Sequence, residues 1–349
     1  MHVAYVLQAY PVPSQTFVHA EMTALRALGH RVTVVAETAG DAAIRFGSGP
    51  DGALFPLAHV GLAPSPALDA VLRAADHLHG HFADHGMVVL APIAARVDRP
   101  FSFTAHAYDL FRQGAAVPLD GWSHLPSGLR KIVTISRFHR DWLALRGVPP
   151  ARISVLPNGA DLAPLLAAAP PPPTQLRRVV AVGRPVAKKG FGVLVQAWDL
   201  ARRSVPYLEL TIVGGAGLVQ APPPTLRLLP MLPYAETLRE MAAADLVVAS
   251  SLAAPDGDMD GIPTVLAEAG ALRRPVVASR ITGTPDLVMD GVNGLLVPPG
   301  DVRALASVFV RLAQRPVELA RMGAAGPTLA AAHDARLIAR RLAQEVFSA

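Results

Sequence analysis

The chain has 349 residues, a net charge of +5, 51% hydrophobic residues and no cysteine. That length favours two α/β domains over one, and the lack of thiols excludes disulfides and thiolate metal sites. A positive balance suits anionic partners such as nucleotide phosphates, lipid phosphates or an anionic membrane surface. No basic run is interleaved with aromatics, which speaks against nucleic acid.

Residues 2–7 read as a buried strand, because the opening segment lacks a basic n-region and its apolar run is too short for a signal peptide. No stretch reaches the ~20 uninterrupted apolar residues of a membrane helix. Helical spacing follows over residues 15–28, with Phe17, Met22, Leu25 and Leu28 available for one face and Gly29 as a stop. Strands are predicted at 31–36, 78–82, 100–105 and 131–135, with helices near 84–97 and up to Leu145. Residues 164–174 then carry the consecutive prolines Pro170 to Pro173, which can join neither a helix nor a central strand. Beyond them the alternation restarts: strands at 179–182, 208–213, 226–229, 246–249 and 275–278, a helix over 191–203, and a last amphipathic, basic helix at 331–347. Short apolar strands alternating with helices imply parallel sheets covered on both faces. The expected division is an N-terminal domain over 1–163, a proline-rich linker over 164–178, a C-terminal domain over 179–330, and a last helix over 331–349 that could pack back on the first domain. Neither half shows GxGxxG after its first strand, which weakens a dehydrogenase reading.

Chemistry-bearing residues concentrate in the second half. Gly183-Arg184 and, five residues on, Lys189-Gly190 follow a strand and precede a helix. Ligands of doubly wound sheets sit at the carboxyl ends of strands, so these two cations could neutralise a diphosphate; a solvated basic turn is the alternative. The next strand ends in Gly214-Gly215. In the segment Asp260-Gly261-Ile262-Pro263-Thr264-Val265-Leu266-Ala267-Glu268, Pro263 marks a helix start. The free amides from about Thr264 and Val265 would form an anion site reinforced by the helix dipole. Glu268, deep in apolar sequence, needs a partner: a ribose diol, or an arginine such as Arg273. Asp290-Gly291 and Asn293-Gly294 are explained by turn formation. In the first half, His106 follows the strand at 100–105. His79 and His81, with His85 nearby, and separately Asp256 and Asp258, raise metal binding as a minor reading.

Together these segments resemble the retaining glycosyltransferases of family 4, in particular the bacterial exopolysaccharide branch that includes colanic acid and amylovoran glycosyltransferases. The opening Tyr10-Pro-Val-Pro-Ser14-Gln-Thr16-Phe17 is similar to that branch's P-x-x-S-E-T-F. Phe103-Thr104-Ala105-His106-Ala107-x-Asp109 resembles its N-domain histidine motif, and Pro157-Asn158-Gly159-x-Asp161 its P-N-G-V-D. Arg184 and Lys189 match the diphosphate pair. Asp260 and Glu268 match the E-x7-E element, with Asp in the first place; Gly283-x-Pro285-Asp286 matches G-x-P-E.

The resemblance implies a GT-B fold, two Rossmann-like α/β domains whose parallel sheets face an interdomain cleft. It implies a nucleoside-diphosphate sugar donor and a glycan, lipid-linked glycan or small-molecule hydroxyl acceptor. Arg184 and Lys189, with Gly183, Gly214 and residues Gly261 to Val265, would bind the donor's phosphates, and Glu268 its ribose. His106 and Asp260 would hold the sugar hydroxyls, and Ser14, Thr16, His81 and Asp109 would line the acceptor side. No cofactor or metal is expected. A cytoplasmic location follows, with peripheral contact at the inner face of the membrane through Arg336, Arg340 and Arg341. Alternatives are another GT-B enzyme such as a nucleotide-sugar 2-epimerase, and a degenerate, non-catalytic transferase-like binding subunit. A phosphorylase is disfavoured because no lysine motif for pyridoxal phosphate is present.

Overall fold

The computed structural model describes residues 1–12, 15–41, 54–114 and 121–348. It contains two compact units, Met1–Ala160 with Ala335–Ala349, and Asp161–Asp334.

The strands of unit 1 are β1 His2–Tyr10, β2 Arg31–Ala39, β3 Leu57–Val60, β4 His77–His81, β5 Phe101–Ala105, β6 Leu129–Thr134 and β7 Ile153–Val155. They form one parallel sheet in the order β3-β2-β1-β4-β5-β6-β7. The order reverses between β1 and β4, the crevice position of a doubly wound sheet. Side chains alternate across it with period two. Ala4 and Val6 point into one core with Leu78, Phe101, Phe103 and Ile132. Val3, Tyr5 and Leu7 point into the other, against Met22 and Leu25 of the helix Thr16–Ala27.

The last helix belongs to that second core. Ile338, Ala339 and Leu342 of Ala335–Leu342, and Val346 and Phe347 after it, are buried there. Arg341 pairs with Glu345 at 2.8 Å. The helix's apolar face is therefore packed inside unit 1. No helix among the described residues is long and apolar enough to cross a membrane.

Unit 2 repeats the architecture with β8 Arg178–Val182, β9 Glu209–Val213, β10 Leu226–Leu229, β11 Leu246–Ala249, β12 Val276–Ser279 and β13 Gly294–Val297. Its parallel order is β10-β9-β8-β11-β12-β13, reversing between β8 and β11. The helix Phe191–Arg202 and the helix Val302–Gln314, capped by Asp301 accepting from the Ala304 amide at 2.9 Å, cover one face.

The division falls at Ala160, ahead of the proline run expected to separate the domains. That run packs within unit 2: Pro171 O accepts from the buried Arg274 guanidinium, and Pro173 lies against Gly323. The physical reason is that a chain extended by proline leaves its carbonyls free to accept bonds from a buried cation.

Candidate donor-phosphate and sugar-hydroxyl sites

In unit 2 the chain leaves β8 at Gly183-Arg184 and turns back to start the helix at Phe191. Gly190 sits at φ +60°, and a Cβ there would lie 2.0 Å from Ser250 O, so only glycine lets this loop pass under the end of β11. Ser250 Oγ donates to Lys189 O and Gly190 O at 3.0 and 3.2 Å, and the Leu252 amide donates to Lys188 O at 2.8 Å. The two loops at the switch point are thereby stitched together. Two strand ends separated in sequence are held in register, which fixes where the lysines project.

Lys189 runs its aliphatic stem over Gly183, with a virtual Cβ contact of 3.0 Å, and its Nζ donates to Asp260 Oδ2 at 2.8 Å. Ser251 Oγ donates to the same oxygen at 2.7 Å. Burial by itself would raise the Asp260 carboxyl, but the charge and hydrogen bond of Lys189, with Lys188 and Ser251, hold it below the usual carboxylate value. Thr282 Oγ1 donates to the carbonyls of Asp260 and Gly261, fixing the loop. Buried Lys188 pairs with Asp258 at 2.9 Å, and Asp256 Oδ1 accepts the Asp258 amide at 3.1 Å. Asp258 is therefore engaged by an ammonium group. Arg184 is exposed, with no ion-pair partner among the described residues. The loop thus carries one exposed arginine and two lysines balanced by carboxylates.

The helix Thr264–Ala271 begins directly after Pro263, so the Thr264 and Val265 amides precede the first intrahelical acceptor. Ile262 is buried, leaving only its backbone for a ligand. Glu268 is buried, and its partner is Tyr234, whose Oη donates at 3.0 Å, rather than Arg273. Burial pushes the Glu268 carboxyl up to about 7, opposed by the Tyr234 hydrogen bond. Lys188, Ser251, Thr282 and Tyr234 were not singled out from sequence. A lysine beside Lys189 and a Ser-Ser pair after a strand were the available signals.

Gly214 lies at φ +88°, and a Cβ there would sit 1.9 Å from Gly183 O. Its part is to admit the β8 turn, not to touch a ligand with a side chain. Gly214→Ala is expected to lose at least about 1–3 kcal/mol from the backbone conformation alone, read as a lowered Tm together with weakened nucleotide binding. An unchanged Tm would refute the steric account.

In unit 1, His106 follows β5 and is stacked beside His81 from the end of β4, with ring centroids 5.4 Å apart. Phe17 and Phe82 pack on His106 at 4.9 and 4.8 Å. Thr16 opens the helix that carries Phe17; Ser14 lies outside the described residues. Asp109, expected on the acceptor side, is instead buried. Its carboxylate accepts the His106 amide at 2.9 and 3.0 Å and the Ala83 amide, tying the loops after β4 and β5 together. Burial pushes that carboxyl up to about 7, against these backbone bonds. His79 and His81 group with Glu21, not with His85: one ligand atom from each of the three lies within 4.8 Å of the others. His79 is also bonded to Ser102 at 2.7 Å and Thr104 at 3.2 Å.

Known protein families match this sequence. The profile described as Glycosyltransferase Family 4 matches residues 14–164, and that described as Glycosyl transferases group 1 matches residues 177–315. A GDP-mannose-dependent alpha-(1-6)-phosphatidylinositol monomannoside mannosyltransferase of Mycolicibacterium smegmatis is 30% identical over 69% of this chain and 68% of its own length. This chain belongs to glycosyltransferase family 4. The amylovoran biosynthesis glycosyltransferase AmsK of Erwinia amylovora is 34% identical over 52% of this family 4 chain and 47% of its own length, so the match spans about half of that relative. Among solved structures, Anabaena HepE in complex with UDP is similar with a TM-score of 0.76 over 99% of both chains at 19% identity, a likeness of GT-B fold.

Proposed function

We propose that this glycosyltransferase moves a sugar from a nucleoside-diphosphate sugar to a hydroxyl of a glycan or lipid-linked glycan, with retention of anomeric configuration and without a divalent metal. The carrying observation is the cation-bearing loop at the end of β8, in which Lys189 projects over Gly183 and Arg184 is exposed. Charge growing on the departing diphosphate would be stabilised by Arg184 and Lys189 and by the amides opening the helix at Thr264, which is electrostatic catalysis by preorganised donors. Glu268, as a carboxylate, would accept the two ribose hydroxyls in exchange for the Tyr234 hydroxyl. In unit 1, His106 would hold sugar hydroxyls and Thr16 would line the acceptor side. Front-face attack is the family's apparent route to retention, and it requires no enzyme nucleophile. The names of the AmsK and mycobacterial relatives support exopolysaccharide or lipid-linked acceptors, and the UDP held by HepE supports a nucleotide donor. Lipid contact would rest on basic side chains, because the apolar face of the last helix is buried.

The test is a panel of nucleotide sugars with release of nucleoside diphosphate measured with and without acceptor. Activity should survive EDTA, since an ammonium group already occupies Asp258. Loss on chelation with recovery in Mg²⁺ or Mn²⁺ would instead make Asp256 and Asp258 ligands. A second reading, a non-catalytic binding subunit, is favoured by the short Asp260 side chain and its engagement with Lys189. It predicts diphosphate binding without turnover of any donor.

A further inference from the structure

Residues two apart on a strand share a face of the sheet. His79 and His81 of β4 therefore point to one side, where the helix Thr16–Ala27 packs, while Leu78 between them enters the opposite core. Glu21 of that helix carries its carboxylate to the end of β4. Its Oε1 lies 3.3 Å from His81 Nε2 and 3.9 Å from His79 Nε2. The two histidines are 0% and 3% exposed, and the Glu21 side chain is 12% exposed. Although it is aimed at Glu21, His81 Nε2 is a buried nitrogen with no hydrogen-bond partner among the described residues. A buried polar atom left in that condition is costly and calls for an occupant.

The surroundings of these three side chains match the outer shell of a metal centre. A ligating imidazole keeps its second ring nitrogen in a hydrogen bond, and a ligating carboxylate is hydrogen-bonded in turn. His79 Nδ1 is 2.7 Å from Ser102 Oγ, and His81 Nδ1 is 3.2 Å from His106 Nε2. Tyr5 Oη donates to Glu21 Oε1 at 2.6 Å. Strand register supplies two of these partners, since Tyr5 on β1 and Ser102 on β5 both pair with His79. Both rings thus turn Nε2 toward Glu21. Zinc bonds of about 2.0–2.2 Å in a tetrahedron put ligand atoms ~3.3 Å apart, the separation that Glu21 and His81 already have. His79 Nε2 must give up Thr104 Oγ1, 3.2 Å away, a hydroxyl free to turn aside.

We infer that Glu21, His79 and His81 hold a divalent transition-metal ion of the zinc class within unit 1. Two imidazoles and one carboxylate suit zinc and its neighbours, whereas Mg²⁺ and Ca²⁺ favour sets of oxygen ligands. The ion ties the helix Thr16–Ala27 to the end of β4, so its role is structural. It takes no part in the phosphate chemistry given above to Arg184 and Lys189. Ligands buried this deeply release an ion only when the fold opens locally. Direct binding is therefore the test, rather than turnover in EDTA.

The experiment titrates the full chain, stripped by long dialysis against a chelator, with Zn²⁺, and follows bound metal and Tm. One equivalent should bind, and Tm should rise by roughly 5–10 °C at free Zn²⁺ about 100 times the Kd. Glu21→Gln leaves Tyr5 an oxygen to bond but removes the anionic ligand. Its affinity should fall by more than the roughly 10–100-fold typical of an outer-shell change, and Ser102→Ala should show that smaller loss. If Glu21→Gln fails to fold, the parent loaded with Co²⁺ decides: it should give the visible absorption of a tetrahedral centre, and X-ray absorption should show two imidazole nitrogens at about 2.0–2.1 Å. No retained Zn²⁺ with an unchanged Tm overturns the inference. So does full affinity in a folded Glu21→Gln, which would place the metal on other histidines, or an octahedral cobalt spectrum. A Tm rise with Mg²⁺ equal to that with Zn²⁺ overturns it too, because that ion would sit on oxygen ligands.

Discussion

Lys189→Ala is expected to reduce turnover by roughly 10- to 150-fold, the effect of removing one charge-assisted contact worth about 1.5–3 kcal/mol. Two features of the structure set this expectation. The Lys189 stem is held against Gly183 at the switch point between β8 and β11, so the ammonium projects at the carboxyl end of the sheet. Its charge is balanced by Asp260 before any ligand arrives. Removing Lys189 therefore takes away the proposed phosphate ligand and leaves the buried Asp260 carboxylate with Ser251 and with Lys188, 3.8 Å away. Stability should fall together with turnover, since a buried carboxylate that loses its nearest ammonium partner is costly. Arg184→Ala should lower turnover by a similar factor with Tm unchanged, because Arg184 is exposed and unpaired among the described residues. Steady-state kinetics beside thermal denaturation separate the two effects. Both variants within twofold of the parent would remove these cations from the site.

Asp260 and Glu268 should respond in opposite ways to the same titration. Asp260→Asn keeps the shape of the loop but removes a negative charge beside the proposed diphosphate site. Nucleoside diphosphate affinity should hold or tighten, while turnover of the whole donor falls about tenfold or more. Equal losses in both would mean that Asp260 only shapes the loop with Thr282 and Ser251. Glu268→Ala should weaken diphosphate binding and turnover alike, because the ribose is present in both ligands. The pH dependence has a definite sign. Only the ionised Glu268 carboxylate accepts two hydroxyls, and burial holds its pKa at about 7. Affinity for nucleoside diphosphate should therefore rise through neutrality, by about tenfold from one unit below that value to one unit above. Glu268→Gln should lose that component of the pH profile while keeping whatever the phosphates contribute. An identical profile in parent and variant would place the titration elsewhere.

The alternation of strand and helix was legible in the sequence because a parallel sheet buried on both faces demands unbroken apolar runs, such as those that became β1, β8 and β11. Short elements escaped that reading. β7 has three residues, and β13 begins in an Asn-Gly pair that reads as a turn. The helix Val302–Gln314 lies outside every predicted element, although Asp301 is its cap. Arg184, Lys189 and Glu268 could be picked out because charge at a strand end, or deep in apolar sequence, needs a chemical reason.

What the sequence by itself determined was the fold class, the family and the residue types of the candidate phosphate site. Only the tertiary structure decided who partners whom. It gave Lys189 to Asp260, Tyr234 to Glu268, and Asp109 to two backbone amides. It turned the proline run from an expected linker into part of unit 2 and carried the last helix back to unit 1. The physical reason is that a local pattern fixes which face of an element is apolar. The partner of a buried polar group is set by which strand ends the sheet order brings together, and adjacency in a parallel sheet is decided by crossovers many residues long.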